Sequence, residues 1–141
     1  MDWEECLKGD VVPTAKNKEV AKSLLAMCEA RLAVARGTDM AGYPALRAEA
    51  YYEVTKELIT ALLVLQGFKS YSHKCLIAFM HEFHLQHFSR HEVELMDKLR
   101  KLRNDIDYRG VFTGADFLER NEKAILAVIG KLFAIVKEKI K

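Results

Sequence analysis

Apolar residues recur along most of this chain at three- and four-residue steps, the spacing that lines up one face of an α-helix. Val20, Leu24, Met27, Cys28, Arg31, Leu32 and Ala35 form such a stripe in a helix expected over about Lys16–Arg36. A second helix, about Pro44–Gln66, is expected to bury Ala50, Val54, Leu58, Ala61, Leu62 and Leu65, with Pro44 suited to a first turn and Gly67 to a stop. Ser72 stands where a cap belongs for a third helix, about His73–Phe88, carrying Leu76, Ile77, Phe79, Met80 and Phe83. Ser89-Arg90-His91-Glu92 has capping-box spacing and starts a fourth, which continues to about Tyr108, before Gly110. Thr113-Gly114-Ala115-Asp116 opens a fifth in the same way, and Phe117, Ile125, Val128, Ile129, Leu132 and Val136 carry it almost to the C-terminus. A short helix, about Trp3–Lys8, should stop at Gly9, and Pro13 begins the approach to the first long one. No segment sustains period-two alternation, so no strand is expected. The pattern predicts an all-α fold: an up-down four-helix bundle in one domain over residues 1–141, with one short additional helix on one end.

One position breaks the pattern. Leu95, Leu99, Leu102 and Ile106 form the apolar stripe of the fourth helix, and Arg103 projects between the directions of Leu99 and Met96. A guanidinium has no neutral form and five donors, so an arginine facing a packed surface needs a carboxylate, a phosphate or a partner chain within reach. Asp107, one turn on, is the nearest internal acceptor, and an Arg103–Asp107 pair at the rim of the core competes with a role for Arg103 in holding a polyanion.

The 141 residues carry a formal charge of +2, which offers no broad footprint for duplex nucleic acid, although Arg100, Lys101, Arg103 and Arg109 cluster closely enough to hold one or two phosphates. Cys6, Cys28 and Cys75 are an odd number at wide spacings, without a metal-knuckle or redox spacing, and read as reduced thiols of a cytosolic protein. The acidic start Met-Asp-Trp-Glu-Glu does not resemble a signal peptide, and no stretch is long enough to span a bilayer, so a soluble, cytoplasmic chain is expected.

Several of these features together resemble the HEPN family of small helical proteins. The resemblance is carried by Tyr52, Glu57, Ala61 and Leu62, by Gly67-Phe68-Lys69 leading to Ser72-His73, by Arg103-Asn104 followed by Tyr108, and by Trp3-Glu4-Glu5-Cys6 with Gly9. It implies a homodimer whose signature arginines meet across the interface, often as a metal-independent ribonuclease. Many such proteins are toxins paired with a minimal nucleotidyltransferase antitoxin; others bind nucleotides or RNA. The family signature is an arginine, a polar residue, and a histidine after four to six intervening residues. Arg103 and Asn104 match its start, but the next positions at that spacing are Tyr108, Arg109 and Gly110. A tyrosine exchanges protons near pH 10, not near neutrality, so the departure weighs against general acid–base cleavage while leaving a phosphate grip by Arg103 and Asn104 intact.

Three readings follow from that resemblance: an RNA- or nucleotide-phosphate-binding module of toxin–antitoxin type, an active ribonuclease, and a non-catalytic scaffold. Arg103, Asn104 and Tyr108 are the candidate catalytic residues, Arg100 joins Arg103 and Asn104 in phosphate binding, and Asp107, Glu57 and His73 are supporting. Glu57 is a solvated or arginine-paired carboxylate with Arg103 as a possible partner, and His73 is a structural cap at the start of its helix. His81, His84, His87 and His91 crowd into eleven positions, but the helix break near Ser89 spoils a shared axis, and no metal or cofactor is expected. Tyr51, Tyr52, Phe79, Phe83 and Phe88 are read as core, not as a base-stacking set.

Overall fold

The computed structural model describes residues 1–112 and 114–141 and is 75% helical, with six helices and a small two-stranded sheet among those residues. The elements are α1 (Trp3–Cys6), β1 (Val11–Pro13), α2 (Lys18–Ala35), α3 (Pro44–Gln66), β2 (Phe68–Ser70), α4 (His73–Phe83), α5 (Arg90–Arg109) and α6 (Ala115–Ile140), with a 3-10 turn at Thr38–Met40. Local chemistry explains most boundaries. Asp2 and Glu5 form a capping box at α1, Asn17 accepts the Val20 N–H at the start of α2, and Ser89 and Glu92 form the expected capping box at α5. Helix α3 starts on Pro44 and stops where Gly67 turns left-handed at φ 91°, and α5 stops likewise at Gly110, φ 64°. Gly114 occupies the cap position of α6; Thr113, read as part of that start, lies outside the described residues.

Helix α3 is the hub, packing against α2, α5, α6 and α4. Its Tyr51, Tyr52, Val54, Leu58, Ile59 and Leu62 are all buried, joined by Leu99 and Met96 of α5, and Leu118, Ile129 and Leu132 of α6. At one end Trp3 packs edge-on to Phe68 and Phe83 and lies 5.7 Å from the Phe79 ring. Of the aromatic set assigned to the core, Tyr51, Tyr52, Phe79 and Phe88 are buried and Phe83 is half-buried.

Four expectations are corrected. A strand pair exists: β1 and β2 run antiparallel, with Val11 facing Ser70, Val12 facing Lys69 and Pro13 facing Phe68. Three residues are too few to display alternation, and Pro13 sits where a two-stranded ribbon has no second neighbour to bond. Helix α4 ends at Phe83 instead of near Phe88, and a single turn from His84 to Phe88 brings Phe88 back into the core. Periodic spacing cannot separate that turn from a further turn of helix. The α2 stripe splits: Cys28 and Ala35 are buried beside Ala21, while Val20 and Met27 are exposed. Finally, Cys6 and Cys75 are not reduced thiols. They form a disulfide between α1 and α4, their Cα atoms 5.8 Å apart, and only Cys28 is free. Sequence spacing could not reveal that pair because 69 positions separate its halves.

Candidate functional site

The second to fourth turns of α3 and the last turns of α5 run side by side, and their polar residues meet at the seam. Arg103 leaves α5 toward α3 with only 16% of its side chain exposed. Its Nε lies 2.9 Å from Asp107 Oδ2 and its Nη2 3.5 Å from Glu53 Oε1, while its guanidinium carbon sits 5.9 Å from the centre of the Tyr52 ring. The Nε contact is close but off the N–H axis, so it is an ion pair without an aligned hydrogen bond. Burial opposes the charge of Arg103, and Asp107 and Glu53 outweigh it, so its pKa stays above the usual arginine value. The anticipated pair with Asp107 is present; the partner on α3 is Glu53, not Glu57. Glu57 turns to Lys56 at 3.3 Å and lies one helical turn too far along α3 for Arg103.

Glu49 extends the cluster by one turn. It shares a hydrogen bond with Asp107, which holds its pKa above the usual carboxylate value, with burial adding to the effect. Glu49, Glu53 and Glu57 occupy successive four-residue steps on α3, so that spacing was the available signal for the acidic wall that Arg103 meets.

Tyr52 lies beneath Arg103, buried, its ring 5.9 Å from that of His73 at the start of α4. Its hydroxyl has no hydrogen-bond partner among the described residues. Burial dominates and pushes its pKa well up, with Arg100 and Arg103 pulling against it. His73 is held below the ordinary histidine value by burial first, then by Lys56 and Arg103, so it is neutral at pH 7. It forms no cap: Ser72 precedes α4 without a side-chain bond, its backbone N–H being taken by Ser70. Lys56, between Glu53 at 2.9 Å and Glu57, keeps a raised pKa because those carboxylates outweigh its burial.

The other expected residues fall around this centre. Arg100 is buried, with Nε donating to Asp97 at 2.7 Å, so it is committed to its own helix instead of facing a surface ligand. Asn104 is half-buried, and Tyr108, 76% exposed, adds a smaller contribution than Asp107 and Glu53 to holding the charge on Arg103. The centre thus gathers Arg103, His73, Tyr52 and Lys56 with four carboxylates, Glu49, Glu53, Glu57 and Asp107. Such a site grips an anion only when a carboxylate gives way, and it holds a neutral imidazole that can accept a proton.

Among the described residues no three His, Cys, Asp or Glu side chains are placed to share a metal ion, and no helix is long and apolar enough to cross a membrane. His84 is buried near His87, both its ring nitrogens without a hydrogen-bond partner among the described residues. Comparison with family models, curated proteins and solved structures returns no match for this chain.

Proposed function

We propose that this chain is a HEPN-like module, an up-down bundle of its four long helices, that binds RNA or nucleotide phosphate and works as a homodimer beside a nucleotidyltransferase partner of the toxin–antitoxin kind. The observation that carries it is Arg103 next to Tyr52 and His73, three residues singled out in the sequence, gathered at one seam, with Asn104 half-buried and Tyr108 exposed on the same helix as Arg103. Phosphate oxygens would replace Asp107 or Glu53 on the guanidinium, an exchange of one anion for another whose balance is set by salt and by pH. Arg103 and Asn104 are the phosphate-binding pair; Asp107, Glu53 and Glu49 hold Arg103 ready. A cytoplasmic setting suits this role where the cytosol leaves Cys6–Cys75 oxidised, as in hyperthermophiles.

The test is titration of labelled RNA and of ATP at low salt against wild type and Arg103→Ala. Binding by the wild type, weakened roughly tenfold or more in the variant and falling with added salt, is the expected result. No affinity for either ligand ends the proposal and leaves the scaffold reading, which the neutralisation of Arg103 by its own carboxylates favours. Cleavage of RNA without added metal, lost in both Arg103→Ala and His73→Ala, would establish the ribonuclease instead, with neutral His73 in place of the missing signature histidine.

A further inference from the structure

Helix α2 carries more apolar surface than the rest of the protein covers. Taking Met27 as zero on the helical wheel, its apolar side chains larger than alanine sweep an arc of about 180°, from Leu25 round to Val34. The protein buries the part centred on Ala21, Cys28 and Ala35. The remainder, Val20, Leu24, Met27 and Val34, steps along the helix at intervals of four, three and seven, the spacing of a coiled-coil seam. Val20 is 42% exposed, Met27 53% and Val34 60%. Two grooves of about 490 and 460 Å³ follow this seam between α2 and α3 and share Met27 and Arg31. Their far wall on α3 carries the carboxylates of Glu57 in the first and Glu49 and Glu53 in the second.

We infer that this groove receives α2 of a second copy of the chain, the two helices packing antiparallel about a two-fold axis at Met27. The charges select that occupant and that direction. Such pairing sets Val20 against the partner's Val34 and Met27 against its own copy, and lays the cationic Arg31 opposite Ser23, in the groove walled by Glu57. Arg31 is exposed and makes no ion pair among the described residues. An apolar seam satisfied by a single chain against itself, with Arg31 of each copy laid into the carboxylate-walled groove of the other, is the self-complementary surface that a two-fold dimer requires. Because Glu49 and Glu53 also surround Arg103, pairing covers the carboxylates that compete with phosphate there.

The inference draws on the proposed function only in expecting self-association, and its test reads mass, not ligand binding, so either can fail alone. Light scattering and sedimentation of the full chain should find a dimer for the wild type. Met27→Glu should be monomeric while keeping the wild-type helical circular dichroism. Arg31→Glu should weaken the dimer roughly tenfold, and Arg31→Glu with Glu57→Arg should restore it. Met27→Cys should crosslink to its own copy under mild oxidation, since a residue on the axis meets itself. A monomeric wild type overturns the inference and hands the groove to a helix of another protein. A dimer that survives Met27→Glu overturns it too, by placing the contact elsewhere, and Met27→Cys that stays uncrosslinked in a dimer refutes the axis.

Discussion

Arg103 illustrates how one side chain can be explained twice. Its position in the stripe demanded an acceptor, and the structure supplies Asp107 from its own helix and Glu53 from the next. The less obvious residue is Tyr52 beneath it, whose buried hydroxyl finds no hydrogen-bond partner among the described residues. An unpartnered buried hydroxyl costs stability, so Tyr52→Phe should leave the unfolding free energy unchanged or raise it by up to about 1 kcal/mol. Urea denaturation reads this directly, and a loss of that size in its place would show the hydroxyl bonded to a ligand or water in solution. His84 gives a second residue-scale expectation. Burial, aided by Lys139 and His87, drops its pKa to about 4. The unfolded chain binds a proton near pH 6.5 and the folded chain does not, so the stability from His84 is whole above pH 6.5 and drains away toward pH 4, by up to about 3 kcal/mol. Replacing it by Phe should flatten that limb of the pH–stability curve; two curves of equal slope would refute the assignment.

At the scale of elements, the short N-terminal helix is held by covalent and aromatic ties instead of length. Four residues cannot sustain an isolated helix, yet Trp3 and Cys6 are buried against Phe68, Phe79 and Cys75. Closing a loop of this length contributes about 2–4 kcal/mol, so reduction, or Cys75→Ala, should lower the thermal midpoint markedly, as calorimetry with and without reductant will record. Thiol titration makes the pairing countable: the native protein should show no reactive thiol, because burial and then Glu57 push the Cys28 pKa to about 12, and denaturation without reductant should release one. Ser89→Ala should cost about 1 kcal/mol by removing one arm of the α5 capping box. That box, the Pro44 start and the Gly67 stop were all visible in the sequence because caps and stops are local chemistry. The ribbon of β1 and β2, the end of α4 and the disulfide were not, because each is decided by a partner far along the chain.

At the scale of the whole molecule, the same division separates what could be read about the site. Arg103 and Asp107 belong to one helix, so their pairing was open to inspection from spacing alone, while Glu53, Glu49 and His73 reach the seam only through the packing of α3, α4 and α5. The periodicity of α2 reports an apolar stripe and not what lies against it; Val20 and Met27 mark the part that the core does not cover. If a second copy covers that excess, the melting temperature should climb as protein concentration is raised, and Met27→Glu should melt at a temperature independent of dilution. The Cys6–Cys75 link also sets a timetable. On the ribosome residues 1–13 emerge before any of β2 or α4 exists, so Trp3, Cys6 and β1 must wait unsheltered until the chain has passed Phe83. Synthesis stalled short of that point would leave the indole and a reactive thiol open to chaperones and to neighbouring nascent chains, so α1 and β1 find their place only after α4 has been made.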